Sequence, residues 1–427
     1  MTGPISSSRR DFLKVTGAAA LTVPGLVPHV HAAGADTMKV GLIGCGGRGR
    51  GAAENICEAA GTKYNIKLHA LADVFDDRLK SCRDFLKGNE VARGKFDVSD
   101  DRCFVGFDAY KKVVECCDLV ILATPPGFRP QHIEAVVNAG KHLFTEKPVA
   151  VDGTGIRKVM AAYEEAKSKK LGVVAGTQRR HQASYIEAMK RLHEGEIGQL
   201  VTGRVYWNQG NIWANKRQNG WSDTEYQMRN WYHFVWLCGD HIVEQHIHNL
   251  DVACWALGAV PVRCLGMGGR QVNVGPEYGQ SYDHFAVEYE FPNGVYIQSM
   301  CRQINGTDGN VSESMVGTKG AWTSQGQRFS GPGKNESVRV KGEVNPYVQE
   351  HIDLLESIVT GKPLNELKQV AESTLVAIMG RMSAYTGKAV TWEQALGSKL
   401  DTFPKVLDMK ADLSEPEVPM PGRTPLV

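Results

Sequence analysis

One stretch of the sequence, residues 38–49, restricts the fold more than any other. It reads MKVGLIGCGGRG, so a short apolar run ends in glycines spaced G-x-G-x-x-G. This pattern is typical of a buried strand, a tight turn and a helix whose free backbone N–H groups hold a pyrophosphate. We therefore predict a nucleotide-binding unit here. Its predicted cofactor-binding residues are Gly44, Gly46, Gly47, Arg48 and Gly49.

An acidic residue follows the next predicted strand. Asp73 comes directly after an apolar run over 66–72 and lies 24 residues beyond Gly49. The acid that binds the adenosine ribose is expected after about 20 residues. A carboxylate there accepts hydrogen bonds from the 2′-hydroxyl and repels a 2′-phosphate, so NAD is favoured over NADP. The alternative is an ordinary strand, turn and helix with a surface acid.

Strand and helix patterns alternate through the first part of the chain. Strands are predicted over 38–43, 66–72, 103–105, 118–123, 142–145 and 171–175. Helices are predicted over 48–60, 76–87, 108–115, 129–139 and 153–169. Such alternation predicts right-handed parallel crossovers and an α/β fold with a doubly wound parallel sheet. At 427 residues the chain is long enough for a second domain.

Two of these strands end in residues that suit a ligand site. Thr124, Pro125 and Pro126 follow the fourth strand, and Glu146 and Lys147 follow the fifth. Ligands of doubly wound sheets bind outside the carboxyl ends of the strands. We therefore expect all five residues at the cofactor, with a proline-rich turn and a surface lysine as the ordinary alternatives.

The first 33 residues have the pattern of an export signal. Arg9 and Arg10 precede a moderately apolar run over 15–27, and residues 30–32 offer a small-residue cleavage site. The pattern is typical of a twin-arginine signal, and the run is too short to span a bilayer permanently. We expect export by the twin-arginine machinery to the periplasm. The alternative, an amphipathic first helix, needs polar residues that the run lacks.

The charge of the chain favours a small-molecule ligand over a macromolecular one. The formal net charge is +2, with both signs spread along the sequence. Neither a nucleic-acid partner nor a membrane surface is indicated by this balance.

The glycine loop, Asp73, residues 124–126 and the Glu146-Lys147-Pro148 triplet together resemble the glucose-fructose oxidoreductase, inositol dehydrogenase and rhizopine-catabolism family, abbreviated Gfo/Idh/MocA. The resemblance covers residues 38 to about 400. It implies an N-terminal Rossmann domain and a C-terminal α/β domain with an open, mostly antiparallel sheet. It also implies an NAD(P)-dependent oxidoreductase acting on CH–OH groups of sugars, cyclitols and their derivatives.

The same resemblance implies roles for three residues. It places Lys147 beside the reacting carbon, and it matches residues 248–251, HNLD, to the H-x-x-D motif of the family. Glu244 then stands where an aspartate is usual, on the same predicted helical face as His248. His248 would be the acid or base towards the substrate hydroxyl, because imidazole titrates near neutral pH. The alternative for His248 is a buried core histidine.

A metal site in this segment is a separate hypothesis. His241 and Glu244, like Glu244 and His248, have the spacing of ligands on one helix, whereas His246 points elsewhere. The His-Glu-x-x-His zinc pattern is absent from the sequence. We predict no metal ligands and leave the role of the cluster open.

Candidate substrate residues lie in two places. The segment 208–239 contains four tryptophans, among them Trp213 and Trp231. Aromatic rings stack on the C–H faces of sugars, so the segment is either a substrate loop or a tryptophan-rich core. Arg180 and His181 follow the strand predicted over 171–175 and are further candidates for substrate contact.

These observations divide the chain into four parts: a signal over 1–33, an NAD-binding domain over 34–160, a substrate and oligomerisation domain over 161–400, and an extended tail over 401–427. Strands of the second domain are predicted over 200–208, 262–272, 283–291 and 294–304, and helices over 346–361 and 368–386. The family resemblance implies that the open sheet face forms a homo-oligomer, a dimer or a tetramer. We expect the proline-rich tail to wrap a neighbouring subunit.

Three functions are compatible with these residues. The first is an exported NAD-dependent oxidoreductase of a sugar, glycoside or cyclitol, with tightly bound NAD that is recycled. The second is a redox-neutral glycosidase that oxidises C3 transiently and eliminates the C1 substituent. The third is a sugar sensor that retains the fold without catalysis, although the presence of both Lys147 and His248 argues against it.

Overall fold

The computed structural model describes residues 37–414 and 417–427. The predicted twin-arginine signal lies outside these residues. Within them, every helix is too short or too polar to cross a lipid bilayer.

The first domain is built on a parallel sheet. Its strands are β1 (Met38–Ile43), β2 (Ile66–Asp73), β3 (Cys103–Val105), β4 (Leu119–Leu122), β5 (His142–Thr145) and β6 (Val173–Ala175). Its helices are α1 (Gly47–Ala60), α2 (Asp76–Gly88), α3 (Ala109–Cys116), α4 (Arg129–Asn138) and α5 (Gly153–Ser168). The order β3-β2-β1-β4-β5-β6 confirms the predicted doubly wound fold. The apolar run of β4 is buried on both faces, as expected between two helical layers.

The second domain is built on a nine-stranded sheet. Its strands are β7 (Leu200–Gln209), β8 (Arg263–Gly269), β9 (His284–Phe291), β10 (Val295–Gln303), β11 (Asn310–Gly317), β12 (Gly320–Thr323), β13 (Arg328–Gly331), β14 (Lys334–Ser337) and β15 (Val390–Thr391). The order is β14-β13-β12-β11-β7-β10-β9-β8-β15. Among the described strands of this second sheet, only β7 and β10 pair in parallel. The sheet is therefore mostly antiparallel, as the resemblance implies. The sequence patterns missed β11–β14.

The remaining helices connect the two sheets. They are α6 (Ala183–His193), α7 (Asp223–Arg229), α8 (Val235–Cys238), α9 (His241–Glu244), α10 (Ile247–Leu257), α11 (Pro346–Val359), α12 (Leu367–Thr386) and α13 (Trp392–Gly397). Helix α12 is buried along most of its length, between α5 of the first domain and β8 of the second. Helix α11 returns to the first domain and packs against α1.

The boundary predicted at residue 160 needs correction. Residue 160 falls inside α5, and β6 pairs in parallel with β5 beyond it. The first sheet therefore extends to Ala175. The backbone N–H of Val173 also donates to the carbonyl of Leu364 over 2.7 Å. The segment between α11 and α12 therefore borders this sheet.

The C-terminal tail makes several contacts with the rest of its own chain. The side-chain amide of Gln227 donates to the carbonyl of Leu413 over 3.0 Å, and the hydroxyl of Tyr282 donates to the carbonyl of Pro419 over 2.8 Å. Phe403 packs edge-on against Trp236 at 5.8 Å between ring centroids. Phe403 also packs against Phe128 of the first domain at 5.2 Å, so the extended tail contacts both domains of its own chain. The predicted contact with a neighbouring subunit stays a prediction.

Candidate active site

A cavity of about 710 Å³ lies between the two domains. The carboxyl ends of β1, β2, β4 and β5 form one wall, as expected for a doubly wound sheet. The opposite wall comes from β7, residues 212–232 and the segment that joins α9 to α10. The predicted cofactor residues that line it are Gly44, Gly46, Gly47, Arg48, Asp73, Thr124, Pro125, Glu146 and Lys147. Gly49 and Pro126 do not line it.

The glycine loop forms a cradle at the start of α1. Gly44 has a φ of +97°, and a Cβ on Gly49 would lie 1.8 Å from the carbonyl oxygen of Gly44. Glycine is therefore required at both positions, because the loop backbone lies directly against the helix. A Cβ on Gly47 would meet nothing within 4 Å, so the helix start is open to the cavity. This cradle fits the pyrophosphate of NAD.

Asp73 closes the adenosine end of the cradle. One carboxylate oxygen accepts the N–H of Cys45 over 2.7 Å, and the other accepts the N–H of Phe75 over 2.8 Å. Burial raises the pKa of Asp73, and these two N–H groups offset part of that effect. The side chain is thus held at the end of β2, where a ribose hydroxyl would meet it.

Replacing Asp73 with serine is expected to shift the preference from NAD towards NADP by about tenfold or more. Serine removes the charge that repels a 2′-phosphate and still accepts a hydrogen bond. The measurement is the ratio of the two dissociation constants, by quenching of protein fluorescence. An unchanged ratio would show that Asp73 does not face the ribose.

Arg48 ties the glycine loop to two other parts of the chain. Its guanidinium pairs with Glu146 after β5 and, over 3.1 Å, with Glu350 on α11. It also lies over the ring of Tyr347, 5.2 Å from the centroid. Burial and the nearby charge of Glu146 raise the pKa of Glu350 well above its usual range. Arg48 and Glu146 therefore position the cradle as well as line it.

The three predicted catalytic residues line the same cavity, and two of them are in direct contact. The ammonium group of Lys147 donates to the backbone carbonyl of Glu244 over 2.6 Å and to its carboxylate over 3.2 Å. The second carboxylate oxygen of Glu244 is buried, with no hydrogen-bond partner in the described part of the chain. The ring of His248 stacks on Trp207 at 5.6 Å, with 22° between the planes. All four side chains line the cavity.

The electrostatics of His248 favour a neutral ring. Burial lowers its pKa well below the usual value, and the charges of Lys147 and Arg179 lower it further. A neutral imidazole at neutral pH can accept a proton from a bound hydroxyl. One detail of the prediction was wrong: Glu244 ends α9 and His248 lies in α10, so they occupy two consecutive short helices rather than one face.

The tryptophan-rich segment divides between the cavity and the core. Trp213 and Trp231 line the cavity as predicted, together with Trp207 and Tyr232. Trp213 is 45% exposed and contacts Trp231 edge-on at 6.0 Å. Trp221 and Trp236 instead pack in an apolar cluster beside it. Trp231 also packs against this cluster, so the segment contributes to both the cavity wall and the core, and its contact with a substrate stays a prediction.

Comparison with known proteins agrees with this geometry. Residues 38–175 match the family description "Oxidoreductase family, NAD-binding Rossmann fold", and residues 185–323 match "GFO/IDH/MocA C-terminal domain". The chain belongs to the Gfo/Idh/MocA oxidoreductase family. The first domain is thus an NAD-binding Rossmann domain, as the glycine loop and Asp73 predict.

Individual relatives of this Gfo/Idh/MocA protein are distant. It is 27% identical to 2,7-anhydro-N-acetylneuraminate hydratase of Escherichia coli, over 51% of this chain and 56% of the relative. It is 23% identical to inositol 2-dehydrogenase of Rhizobium meliloti, over 68% of this chain and 77% of the relative. The match to the hydratase thus spans little more than half of that protein.

Solved structures show the same fold. Scyllo-inositol dehydrogenase from Lactobacillus casei, with bound NAD(H) and scyllo-inositol, has a TM-score of 0.62 at 19% identity, covering 84% of this chain and 99% of that one. Aldose-aldose oxidoreductase from Caulobacter crescentus has a TM-score of 0.64 at 19% identity, covering 83% of this chain and all of that one.

Two predicted substrate residues of this Gfo/Idh/MocA protein lie away from the cavity. The guanidinium of Arg180 donates to both carboxylate oxygens of Asp251 over 2.9–3.1 Å. The ring of His181 contacts Asp353 over 2.6 Å and Glu366 over 3.3 Å. Both residues follow β6, but carboxylates from distant segments neutralise them inside the protein. Their role is structural.

Replacing His181 with asparagine is expected to destabilise the protein by about 2 kcal/mol near neutral pH, because two half-buried carboxylates lose a charged partner. Burial lowers the pKa of His181, but its bonds to Asp353 and Glu366 outweigh this and raise it to about 10. The stabilisation is therefore complete below about pH 6.5 and is lost as the pH rises towards 10. Denaturant unfolding of both proteins at several pH values measures this, and a difference that grows with pH would contradict it.

His241 and His246, the two histidines beside the catalytic set, each contact another side chain. His241 packs edge-on against Phe285, and a ring nitrogen of His246 contacts the hydroxyl of Ser299 over 2.7 Å. Between residues 37 and 427, apart from the two undescribed positions, no three His, Cys, Asp or Glu side chains are placed to share a metal ion.

Sequence reasoning missed several residues of the cavity wall. Arg129 is buried at the start of α4, where its guanidinium donates to the carbonyl of Pro148, and burial lowers its pKa to about 10. Its place just after the fourth strand was an available signal. The guanidinium of Arg78 lies next to Gly46. Its position five residues after Asp73, just past the end of a strand, was a signal of the same kind. Tyr347 carried no such signal, because α11 joins the site from far along the chain.

Proposed function

We propose that this protein oxidises a hydroxyl group of a sugar, glycoside or cyclitol, using an NAD that it keeps and regenerates. The observation that carries this proposal is the convergence of Lys147, Glu244 and His248 on the cavity that begins at the glycine cradle. The dehydrogenases of inositol among its relatives support a polyhydroxylated ring as substrate.

Each side chain has a defined task in this reaction. Bound NAD supplies the hydride acceptor. Neutral His248 takes the proton of the substrate hydroxyl, and the ammonium of Lys147 donates a hydrogen bond to the same oxygen as negative charge develops on it. The free carboxylate oxygen of Glu244 accepts a hydrogen bond from a neighbouring hydroxyl. Trp207 holds the ring of His248, while Trp213 and Trp231 offer faces for the sugar.

Retention of NAD follows from the proposed location. Arg9 and Arg10 support export by the twin-arginine machinery to the periplasm, where no free NAD pool is available for exchange. A cofactor reduced by one substrate must then be reoxidised in place by a second carbonyl compound. The proposal therefore predicts that purified protein contains about one dinucleotide per chain.

A second candidate keeps the same residues but is redox-neutral overall, and the hydratase among the relatives favours it. Oxidation of C3 of a glycoside acidifies the C2 proton, which a base removes as the bond from C1 to its substituent breaks. Water then adds at C1, a proton returns to C2, and the hydride that left C3 in the first step returns to the C3 ketone and restores the alcohol. Hydrolysis results with no net change in NAD.

One experiment separates these candidates. Purified protein is incubated with a panel of aryl glycosides, sugars and inositols without added NAD, while aglycone release and the absorbance of reduced nicotinamide are followed. Reduction of the bound NAD that reverses when a second sugar is added supports the oxidoreductase. Aglycone release without net reduction supports the redox-neutral route. Retained NAD with no turnover of any member would contradict both.

We also propose a homo-oligomer formed through the open face of the second sheet. Apolar side chains are exposed at alternate positions there, with Leu265 at 51%, Met267 at 75% and Met300 at 41%. Exposed apolar side chains on β8 and β10, the two strands that flank β9 in the sheet, favour a covering partner. Light scattering after size exclusion would measure the assembly, and a monomer would contradict this.

A further inference from the structure

Arg229, the last residue of α7, joins the second domain to the first at the cavity rim. Its guanidinium donates to both carboxylate oxygens of Asp77 over 3.1 and 3.2 Å. It also lies over the ring of Phe75, 4.0 Å from the centroid. Phe75 lies in the turn after β2, and Asp77 lies in the first turn of α2. A two-pronged ion pair and a cation–π contact therefore meet on one side chain.

These contacts lie across the end of the cavity where the adenosine is held. Phe75 and Arg78 line the cavity from the first domain, and Met228, next to Arg229, lines it from the second. Asp73, which faces the ribose, is two residues before Phe75. The bridge from Arg229 thus closes over the adenosine half of the dinucleotide and not over the reacting ring.

The helix that carries Arg229 is fixed from behind by the C-terminal tail. The hydroxyl of Thr224 donates to the carbonyl of Ala411 over 2.9 Å, and the amide of Gln227 donates to the carbonyl of Leu413 over 3.0 Å. Within the helix, Glu225 accepts from the Nε of Arg229 over 2.8 Å. The guanidinium is therefore oriented before it meets Asp77, which reduces the entropy that the contact costs.

We propose that Arg229, Asp77 and Phe75 form a latch that slows the release of NAD. This proposal rests on one part of the proposed function, the retention of NAD by the protein. Domain opening must break the pair with Asp77 and lift the guanidinium from Phe75 before the adenosine can leave. The exposed ion pair is screened by salt, whereas the contact with the ring is not.

The test measures release of the cofactor directly. Full-length protein loaded with NADH is mixed with a large excess of NAD, and the loss of NADH fluorescence gives the dissociation rate. Arg229→Met is expected to raise this rate about tenfold and Asp77→Asn about threefold. The double variant is expected to match Arg229→Met, because both changes open the same contact. Added NaCl is expected to speed release from the wild type but not from Arg229→Met.

A matched control lies in the same segment. Arg217 pairs with Asp223 over 2.6 Å inside the second domain, and Arg217→Met is expected to leave the release rate unchanged. Wild-type release rates in both latch variants would overturn the latch and leave the proposed function intact. Rapid release of NADH by the wild type would overturn both the latch and the retained cofactor. Slow release from a protein that turns over no sugar would overturn the function alone.

Discussion

Replacing Lys147 with methionine is expected to lower the rate of reduction of the bound NAD about 10³-fold. Methionine fills a similar volume but cannot stabilise negative charge on the substrate oxygen, where a preorganised cation contributes most. The ammonium is already buried and held by two bonds to Glu244, so it needs no reorganisation during the reaction. The measurement is a single-turnover experiment with the preferred sugar, following the absorbance of reduced nicotinamide.

Two controls accompany Lys147→Met. Lys158 is exposed on α5, and Lys158→Met is expected to leave the rate unchanged. The dinucleotide content of Lys147→Met, measured by mass spectrometry after denaturation, is expected to equal that of the wild type, because the glycine loop and Asp73 are left unchanged. A rate within threefold of the wild type would show that Lys147 is not at the reacting carbon.

Replacing His248 with asparagine is expected to lower the same rate about 10²-fold and to change its pH dependence. Burial and the charges of Lys147 and Arg179 lower the pKa of His248, so its ring is neutral at pH 7 and becomes protonated only in acid. The rate of the wild type is therefore expected to fall only well below pH 6.5, the usual pKa of histidine. Asparagine does not titrate, so this acidic limb is expected to disappear.

The pH profile separates catalysis from packing. A variant that merely loses the stacking of His248 on Trp207 would bind sugar less tightly, and its acidic limb would persist. An acidic limb at the same pH in both proteins would assign the titration to another group and contradict the role of His248. The profile is measured with saturating sugar, so that weaker binding does not lower the rate.

The parts of the site that sequence predicts are those set by local rules. Glycine spacing, the acid at the end of β2 and the residues that follow β4 and β5 are explained by the geometry of a parallel sheet. The structure brings these residues to one cavity, except Gly49 and Pro126. His248 and Glu244 came from the family motif, because nothing local tells a catalytic histidine from a core one. The sequence did not predict that α9 ends before α10 begins, because the segment is too short for a change in hydrophobic periodicity to show.

The parts that sequence did not predict depend on distant partners. Arg180 and His181 follow a strand end just as Lys147 does, and only the folded chain supplies the acids that neutralise them, Asp251 and Asp353. Strands β12–β14 are four residues long each, too short for their alternation to be read with assurance. The first domain extends past residue 160 because β6 pairs with β5, a contact between segments separated by a whole helix.

The return of α11 to the first domain sets an order of events during synthesis. Leu354, Leu355 and Ile358 complete the apolar cluster around α1, and the backbone on either side of Asn365 bonds to Val173 at the edge of the parallel sheet. While a ribosome is still making residues 176–353, the nucleotide-binding half has an uncovered apolar flank and an open strand edge. The pair between Arg48 of the cradle and Glu350 therefore forms only after α11 has been made, so the loop that holds the pyrophosphate gains its last support late in synthesis.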